Sequence, residues 1–208
     1  MTSGAILRRV RYVSIKDFGL YRALKEAVAG EWLTPEALLA VTDLSWDEYR
    51  AEVGPEHWQP IDDLRGIQHC VNLRGLHLDG NHIRSLLPLA GLDQLTELWL
   101  VDNDVTNLKP LAGLTALTTL VLDMNRRLVN IAPLVGLHRL EYLNIADTGV
   151  KDLSPLLDLP ALTRLAWKPY TMYGRKPVAP AVLRRAEGVL TTLRDRGVSI
   201  ERYQLAST

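Results

Sequence analysis

The chain has 208 residues, of which 47% are apolar, and its 24 basic and 24 acidic side chains give a formal net charge of zero at pH 7. A neutral chain is not expected to bind nucleic acid through general electrostatic attraction. No stretch approaches the roughly 20 consecutive apolar residues of a membrane-spanning helix. The single cysteine, Cys70, excludes an internal disulfide and favours a reducing compartment, so we expect a cytoplasmic protein.

The first sixty residues predict a short leader followed by a helical cap. Residues 1–16 alternate weakly in polarity and fit either an added strand or a tail. Within residues 17–60, three apolar side chains share one face of a first predicted helix: Leu20, Leu24 and Val28. Thr34 and Pro35 are residue types preferred at the N-cap and the first position of a helix, so they predict a second one.

Residues 61–169 repeat one apolar pattern, LxxLxxLxLxxN. Five copies begin, at offsets of 22, 22, 23 and 22 residues, at Cys70, Leu92, Leu114, Leu137 and Leu159. Four prolines recur at nearly the same spacing, each just before the next copy: Pro88, Pro110, Pro133 and Pro155. A fixed period of this length is typical of a leucine-rich repeat solenoid, in which each unit buries its leucines against its neighbours.

Every copy predicts the same elements in the same order. The xLxLx stretch alternates, so it predicts a short strand with its leucines inward. The segment from the proline to the next GL pair is too short for a full helix, so it predicts either a 3₁₀ turn or an irregular convex side. Three asparagines after the strands are predicted to bond buried backbone groups of neighbouring coils, as a structural ladder: Asn81, Asn103 and Asn125. Thr148 takes this place in the fourth copy, where its hydroxyl can satisfy fewer groups.

Residues 170–208 predict a second cap made of a helix and a strand. Four apolar residues would bury one face of the helix: Leu183, Ala186, Leu190 and Leu193. Gly197 would end this helix, and Val198 and Ile200 would add a last strand.

Five segments together resemble the bacterial internalin-like proteins with 22-residue leucine-rich repeats. They are LYRALKEA (20–27), LTPEAL (33–38), IDDLRGIQHCVNL (61–73), LKPLAGL (108–114) and VLTTLRDRGVSIER (189–202). The resemblance implies an α/β solenoid: a right-handed horseshoe with a parallel concave β-sheet, a helical N-terminal cap and a helix-plus-strand C-terminal cap. It also implies a surface that docks another protein. Because the sequence shows no signal peptide or cell-wall anchor, we expect the docking role of intracellular relatives, not adhesion to host cells.

The alternation of the strands predicts which side chains face the concave side. Twelve of them are candidate contacts for a partner protein: His77, Asp79, Glu97, Trp99, Val101, Thr119, Val121, Asp123, Tyr142, Asn144, Arg164 and Lys168. Trp99 is the candidate anchor, because the scaffold does not need a large side chain at this position and tryptophan is favoured at interfaces. Acidic residues surround it, so a basic or mixed-charge segment would suit this face.

Two other functions stay open at this point. Residues 31–63 carry nine acidic and one basic side chain, whereas residues 160–208 carry three and nine, so a regulatory or structural subunit could dock an enzyme through its charged caps. A metal-dependent enzyme could use His77, Asp79 and Glu97, although no recognised metal or catalytic motif accompanies them. We expect a monomeric, non-enzymatic protein-binding module without cofactor, metal, nucleic acid or membrane partner.

Overall fold

The computed structural model describes residues 12–29, 32–46, 59–168 and 179–201. The described part contains three α-helices, which are α1 (Phe18–Ala27), α2 (Pro35–Leu38) and α3 (Pro180–Asp195). It also contains seven strands, each of three residues: β1 (Asp43–Ser45), β2 (Gly75–His77), β3 (Glu97–Trp99), β4 (Thr119–Val121), β5 (Tyr142–Asn144), β6 (Arg164–Ala166) and β7 (Ser199–Glu201). Most of the predicted leader and parts of both caps lie outside the described residues.

The seven strands form one open, parallel sheet in chain order, from β1 to β7. Equivalent residues of successive repeats pair directly, as Leu76 does with Leu98 and Leu98 with Leu120. Each return path contains the predicted 3₁₀ turn: Ile67–His69, Leu87–Leu89, Lys109–Leu111, Ala132–Leu134 and Ser154–Asp158. The repeat pattern therefore produces the predicted leucine-rich repeat horseshoe, because identical strand registers stack one coil on the next.

One hydrophobic core runs from the N-terminal cap through all repeats to the C-terminal cap. The repeat leucines are buried throughout it, and Trp167, which replaces a leucine in the last copy, is only 6% exposed. Cys70 begins the first copy of the pattern and is fully buried. Stacking of the coils stabilises each unit, since a single unit cannot cover its own leucines.

The asparagine ladder is confirmed. Asn103 is typical: its Oδ1 accepts a hydrogen bond from Ile83 N at 2.9 Å, and its Nδ2 donates to Leu78 O at 2.8 Å. Asn81 and Asn125 make the same pair of bonds one coil earlier and one coil later. These contacts satisfy backbone groups that no water reaches, which is why the sequence repeats asparagine there.

The ladder ends at Thr148, as the shorter side chain predicts. Its hydroxyl donates to Ile145 O at 2.7 Å, within its own coil. The backbone carbonyl of Leu122 would be the equivalent acceptor on the preceding coil, and it instead accepts from Asn125 Nδ2 at 2.9 Å. The 23-residue unit, with its one inserted residue, lies between these two positions.

The N-terminal cap packs on the first coil through α1. Asp17 caps this helix, since its Oδ1 accepts from Leu20 N at 2.8 Å. The other carboxylate oxygen accepts from Asp62 N at 2.8 Å, which ties the helix to the array. Thr34 caps α2, as predicted, with Pro35 as its first residue. The strand β1 was not predicted, and it extends the concave sheet by one strand into the cap.

The C-terminal cap has the predicted helix and last strand. Ala186, Leu190 and Leu193 are buried, but Leu183 is 38% exposed, so the predicted fourth contact is wrong. Gly197 follows the helix with φ +87°, the left-handed conformation that favours glycine. None of the helices in the four described ranges has both the length and the apolar character needed to cross a membrane.

Candidate functional site

The concave sheet presents three columns of outward side chains. The central column runs through residues paired across the strands: Ser45, His77, Trp99, Val121, Asn144, Ala166 and Glu201. A second column lies two residues earlier on each strand and includes Glu97, Thr119, Tyr142 and Arg164. A third lies two residues later, and the backbone ladder continues past it, since Gly80 N donates to Val101 O at 2.8 Å. The predicted candidates are therefore brought together on one surface.

Trp99 and His77 form the aromatic centre of this surface. Their rings stack with centroids 5.5 Å apart and planes inclined by 11°. Trp99 is partly buried, and its indole Nε1 is buried with no hydrogen-bond partner among the described residues. On the neighbouring position of β3, Glu97 Oε2 lies 3.9 Å from His77 Nε2. The stack holds the indole in one orientation, which lowers the conformational entropy that a bound partner would otherwise remove.

Two of the twelve candidates are corrected by the structure. Val121 is only 2% exposed and Asn144 only 6%, so neither offers a partner appreciable surface. Both lie deep in the central column, with a neighbouring strand on each side. Asn144 also bonds locally, because its Oδ1 accepts from Ala146 N at 3.0 Å. Strand alternation identifies the face of a residue, but it does not measure how far larger neighbours cover that residue.

The basic end of the surface is neutralised within the chain. Arg164 lies over the ring of Tyr142, with its guanidinium carbon 4.6 Å from the ring centroid. The same guanidinium donates to Glu201 Oε1 at 2.7 Å, and this pairing raises the pKa of Arg164. Lys168 Nζ lies 3.9 Å from Asp147 Oδ2, and its side chain is only 11% exposed. Both positive charges, Arg164 on β6 and Lys168 just after it, therefore have an acidic neighbour within the chain.

The acidic part of the surface lies around Val101. Asp79 Oδ1 accepts from Val101 N at 2.8 Å, so this carboxylate lies against the end of β3. On the opposite side of Val101, Asp123 follows β4, and its Oδ1 is buried with no hydrogen-bond partner in the part of the chain that the structure describes. Burial, together with repulsion from Asp79, Asp147 and Asp102, raises the pKa of Asp123 to about 6.

The arrangement does not support the metal-dependent alternative. Among the described residues, no group of three or more His, Cys, Asp or Glu side chains could hold a metal ion. Of the three suggested ligands, Glu97 approaches His77 while Asp79 bonds the Val101 amide instead. Burial raises the pKa of the Cys70 thiol to about 12, which makes it a poor nucleophile.

Sequence reasoning missed the two ends of the concave surface and its turn carboxylates. Asp43 and Ser45 on β1 and Glu201 on β7 extend the columns into the caps. The alternation of Leu44 and Trp46, both buried, was a signal for β1, but its offset to the next strand breaks the 22-residue period. The turn carboxylates occupy left-handed positions directly after the third column, with φ 48° at Asp102 and φ 50° at Asp147.

Comparison with known proteins agrees with the fold. The family "Leucine Rich repeats (2 copies)" matches residues 93–136. A search of curated protein sequences finds no match. A leucine-rich repeat protein from Leptospira interrogans aligns over 70% of this chain and 35% of its own, with 21% identity and a TM-score of 0.58, which is a likeness of fold.

Two solved structures of internalins from Listeria monocytogenes are also similar. One internalin aligns with 25% identity and a TM-score of 0.56 over 72% of this chain and 49% of its own, so the chain spans about half the length of that protein. Internalin C2 aligns with 32% identity and a TM-score of 0.52, over 73% of this chain and 74% of its own. With its repeat period, caps and parallel sheet, this chain belongs to the internalin-like leucine-rich repeat proteins.

Proposed function

We propose that this protein is a non-enzymatic module that binds another protein on its concave face. One observation carries the proposal: a partly exposed tryptophan, Trp99, stacks on His77 on the concave face of the parallel sheet. Tryptophan is enriched among the residues that dominate binding energy at interfaces, especially near their centres. The leucine-rich repeat fold itself suggests protein binding, while the concave face and its partner are our proposal.

The surface around Trp99 suits this role because its neighbours vary in chemistry while the scaffold beneath them does not. Ten of the twelve predicted contacts are partly or fully accessible: His77, Asp79, Glu97, Trp99, Val101, Thr119, Asp123, Tyr142, Arg164 and Lys168. The inward leucines of the same strands are fully buried, so substitutions on the outer face leave the core intact. A preformed surface of this kind binds without a large ordering cost.

The test is affinity capture from the native lysate with quantitative mass spectrometry. The variant Trp99→Ala should recover the specific partner at least about tenfold less than the parent chain, since loss of a central anchor costs more than about 1.4 kcal/mol. Trp32→Ala is the matched control, because Trp32 is 62% exposed but lies in the N-terminal cap. Equal recovery by the parent and Trp99→Ala, with both proteins folded by circular dichroism, would contradict the proposal.

A second candidate is a regulatory or structural subunit that docks an enzyme through its charged caps. It is favoured by the outer face of α3, where Arg184 and Arg185 are exposed. Under this alternative, the double variant Arg184→Glu, Arg185→Glu would lose the captured partner while Trp99→Ala would keep it. The concave proposal expects the opposite pattern.

The proposed form of the module is a cytoplasmic monomer. Cys70 is a free, buried thiol, which suits a reducing compartment. Fractionation of the native cells and light scattering of the purified chain test these two points separately. Recovery of the protein outside the cytoplasm would contradict the proposed location. A dimer mass at micromolar concentration would contradict the proposed monomeric state.

A further inference from the structure

The N-terminal cap carries a groove that is separate from the concave face. It has a volume of about 490 Å³ and is lined by side chains from residues 12–16, from Pro35 and from residues 65–69. The last of these include the 3₁₀ turn Ile67–His69, which belongs to a return path and not to a strand of the sheet. The groove therefore lies away from the columns around Trp99.

Packing within the cap forms this groove in the free protein. Val13 N donates to Leu33 O at 2.8 Å, and the side chains of Val13 and Ile15 pack against the hydrophobic core. Ile15 also lies over Gly66, where an added Cβ would overlap its Cδ1 atom. These contacts fix residues 12–16 against the first coil, so a ligand would meet a preformed surface with a small ordering cost.

An exposed aromatic pair lies at the edge of the groove. Tyr12 lines the groove, and its ring centroid is 5.2 Å from that of Trp32. The two residues are 57% and 62% exposed, so their contact leaves most of both rings in water. Trp46 of the same cap is only 1% exposed, as expected for a tryptophan that fills the core. Adjacent exposed aromatic rings favour an interaction site, whereas a single exposed apolar residue does not.

The charged side chains that line the groove are basic. Lys16, Arg65 and His69 are exposed there, and the described lining includes no aspartate or glutamate. Asp63, outside the lining, forms an ion pair with Arg65, while Lys16 forms none with a described residue. The surrounding cap has the opposite charge, since residues 31–63 carry nine acidic side chains and one basic one. A complementary ligand therefore combines apolar surface with negative charge.

We infer that this groove is a second docking site, which binds an acidic segment of another protein through an aromatic or large aliphatic side chain beside a carboxylate. The apolar side chain would pack on the ring of Tyr12, and the carboxylate would pair with Lys16. This site is independent of the proposed concave contact. A protein segment fits better than a nucleic acid, because a long phosphate backbone would also cross the acidic remainder of the cap.

The test selects ligands from a phage-displayed library of random peptides, with the full-length protein as bait. Synthetic copies of the enriched peptides are then titrated into isotopically labelled protein and followed by nuclear magnetic resonance. The backbone amides of Ser14 and Gln68 are the reporters, because both residues line the groove. We expect saturable shifts at both reporters with peptides that carry an aromatic or large aliphatic residue next to aspartate or glutamate.

Matched variants identify the contacts. Tyr12→Ser should weaken binding of these peptides at least about tenfold, as expected for an aromatic anchor, and Tyr21→Ser is its control because Tyr21 is 40% exposed outside the groove. Lys16→Gln should weaken binding about two- to fivefold, as expected for one exposed ion pair. Lys151→Gln is the corresponding control, since Lys151 is exposed in a later repeat. Equal affinities of the parent, Tyr12→Ser and Lys16→Gln would overturn the inference.

The remaining outcomes separate this site from the concave face. The groove peptides should bind Trp99→Ala as tightly as the parent, and Tyr12→Ser should still capture the partner that binds through Trp99. Trp32→Ala should weaken only the groove peptides, because Trp32 contacts Tyr12 and not the concave columns.

Three results would overturn the inference and leave the capture test of the concave face unaffected. The first is enrichment of lysine- or arginine-rich peptides at the groove reporters. The second is the absence of any enriched peptide that shifts these reporters. The third is tighter binding of single-stranded oligothymidine than of the peptides at Ser14 and Gln68, which would assign the groove to nucleic acid.

Discussion

The indole of Trp99 stacks on the imidazole of His77, with centroids 5.5 Å apart and planes within 11° of parallel. The two residues occupy paired positions on neighbouring strands, so the stack is a direct product of the repeat register. Aromatic pairs of this geometry contribute about 0.5–1.5 kcal/mol beyond the apolar area they bury. The contact that we propose as a binding centre therefore also stabilises the free protein.

The stack predicts a coupling that a double-mutant cycle can measure. His77→Ala and Trp99→Ala should destabilise the protein by less together than the sum of their separate effects, with a coupling of about 0.5–1 kcal/mol from urea denaturation. The control cycle replaces His77→Ala by His138→Ala, because His138 is exposed in a turn of a later repeat. Equal coupling in the two cycles would show that the stacking contributes nothing specific.

The structure predicts that the ionised carboxylate of Asp123, one of the proposed contact residues, destabilises the folded protein. Asp123→Asn should raise the free energy of unfolding by about 1–2 kcal/mol at pH 7.5, since the asparagine removes an ionised group whose pKa the fold raises to about 6. The advantage should shrink as the pH falls from 6 towards 4, because native Asp123 then takes up a proton that the unfolded chain does not. The acids that face it are Asp79, Asp102 and Asp147, the last of which lies near Lys168.

Urea denaturation at pH 7.5 and 4.5 measures this difference. Asp93→Asn serves as the control at both pH values, since a substitution at an exposed turn should change stability by less than about 0.5 kcal/mol. A destabilised Asp123→Asn at pH 7.5, or a gain that grows towards pH 4.5, would contradict the predicted sign.

The asparagine ladder predicts that truncating one of its buried side chains strongly lowers the free energy of unfolding. Asn103→Ala should destabilise the protein by about 2–4 kcal/mol, because it leaves Ile83 N–H and Leu78 C=O buried without their partner. Asn107→Ala is the matched control, since Asn107 bonds the Lys109 amide at 3.0 Å on an exposed turn and its loss should cost about 0.5 kcal/mol or less. Thermal and urea unfolding measure the stability of both variants. Similar losses of stability in Asn103→Ala and Asn107→Ala would contradict a structural role of the ladder.

Two helical glycines predict opposite responses to the same substitution. Gly188→Ala should stabilise α3 by about 0.5–1 kcal/mol, since the new methyl group meets nothing within 4 Å. Gly19→Ala should destabilise the protein, because its Cβ would lie 2.6 Å from Gln59 O in the cap. Melting temperatures measured by calorimetry should move in opposite directions. A rise for both variants would mean that α1 does not pack closely on residues 59–61.

The apolar repeat by itself determined the architecture of this protein. Leucines at a constant period can be buried only if equivalent positions stack, and the recurring asparagines satisfy the backbone groups that such stacking buries. The parallel register, the 3₁₀ turns, the caps and the end of the ladder at Thr148 could all be predicted for this reason. The strand β1 was not predicted, because the segment between it and the first repeat is longer than the 22-residue repeat period.

Only the tertiary structure decided what each outward side chain can do. Val121 and Trp99 hold equivalent positions in neighbouring repeats, yet Val121 is covered and Trp99 is partly open, because accessibility depends on the sizes of the surrounding side chains on adjacent strands. The same holds for charge: Arg164 pairs with the acidic Glu201, whereas Asp123 lies near three other acids, Asp79, Asp102 and Asp147. Distances between coils set these effects, and a periodic pattern does not contain them.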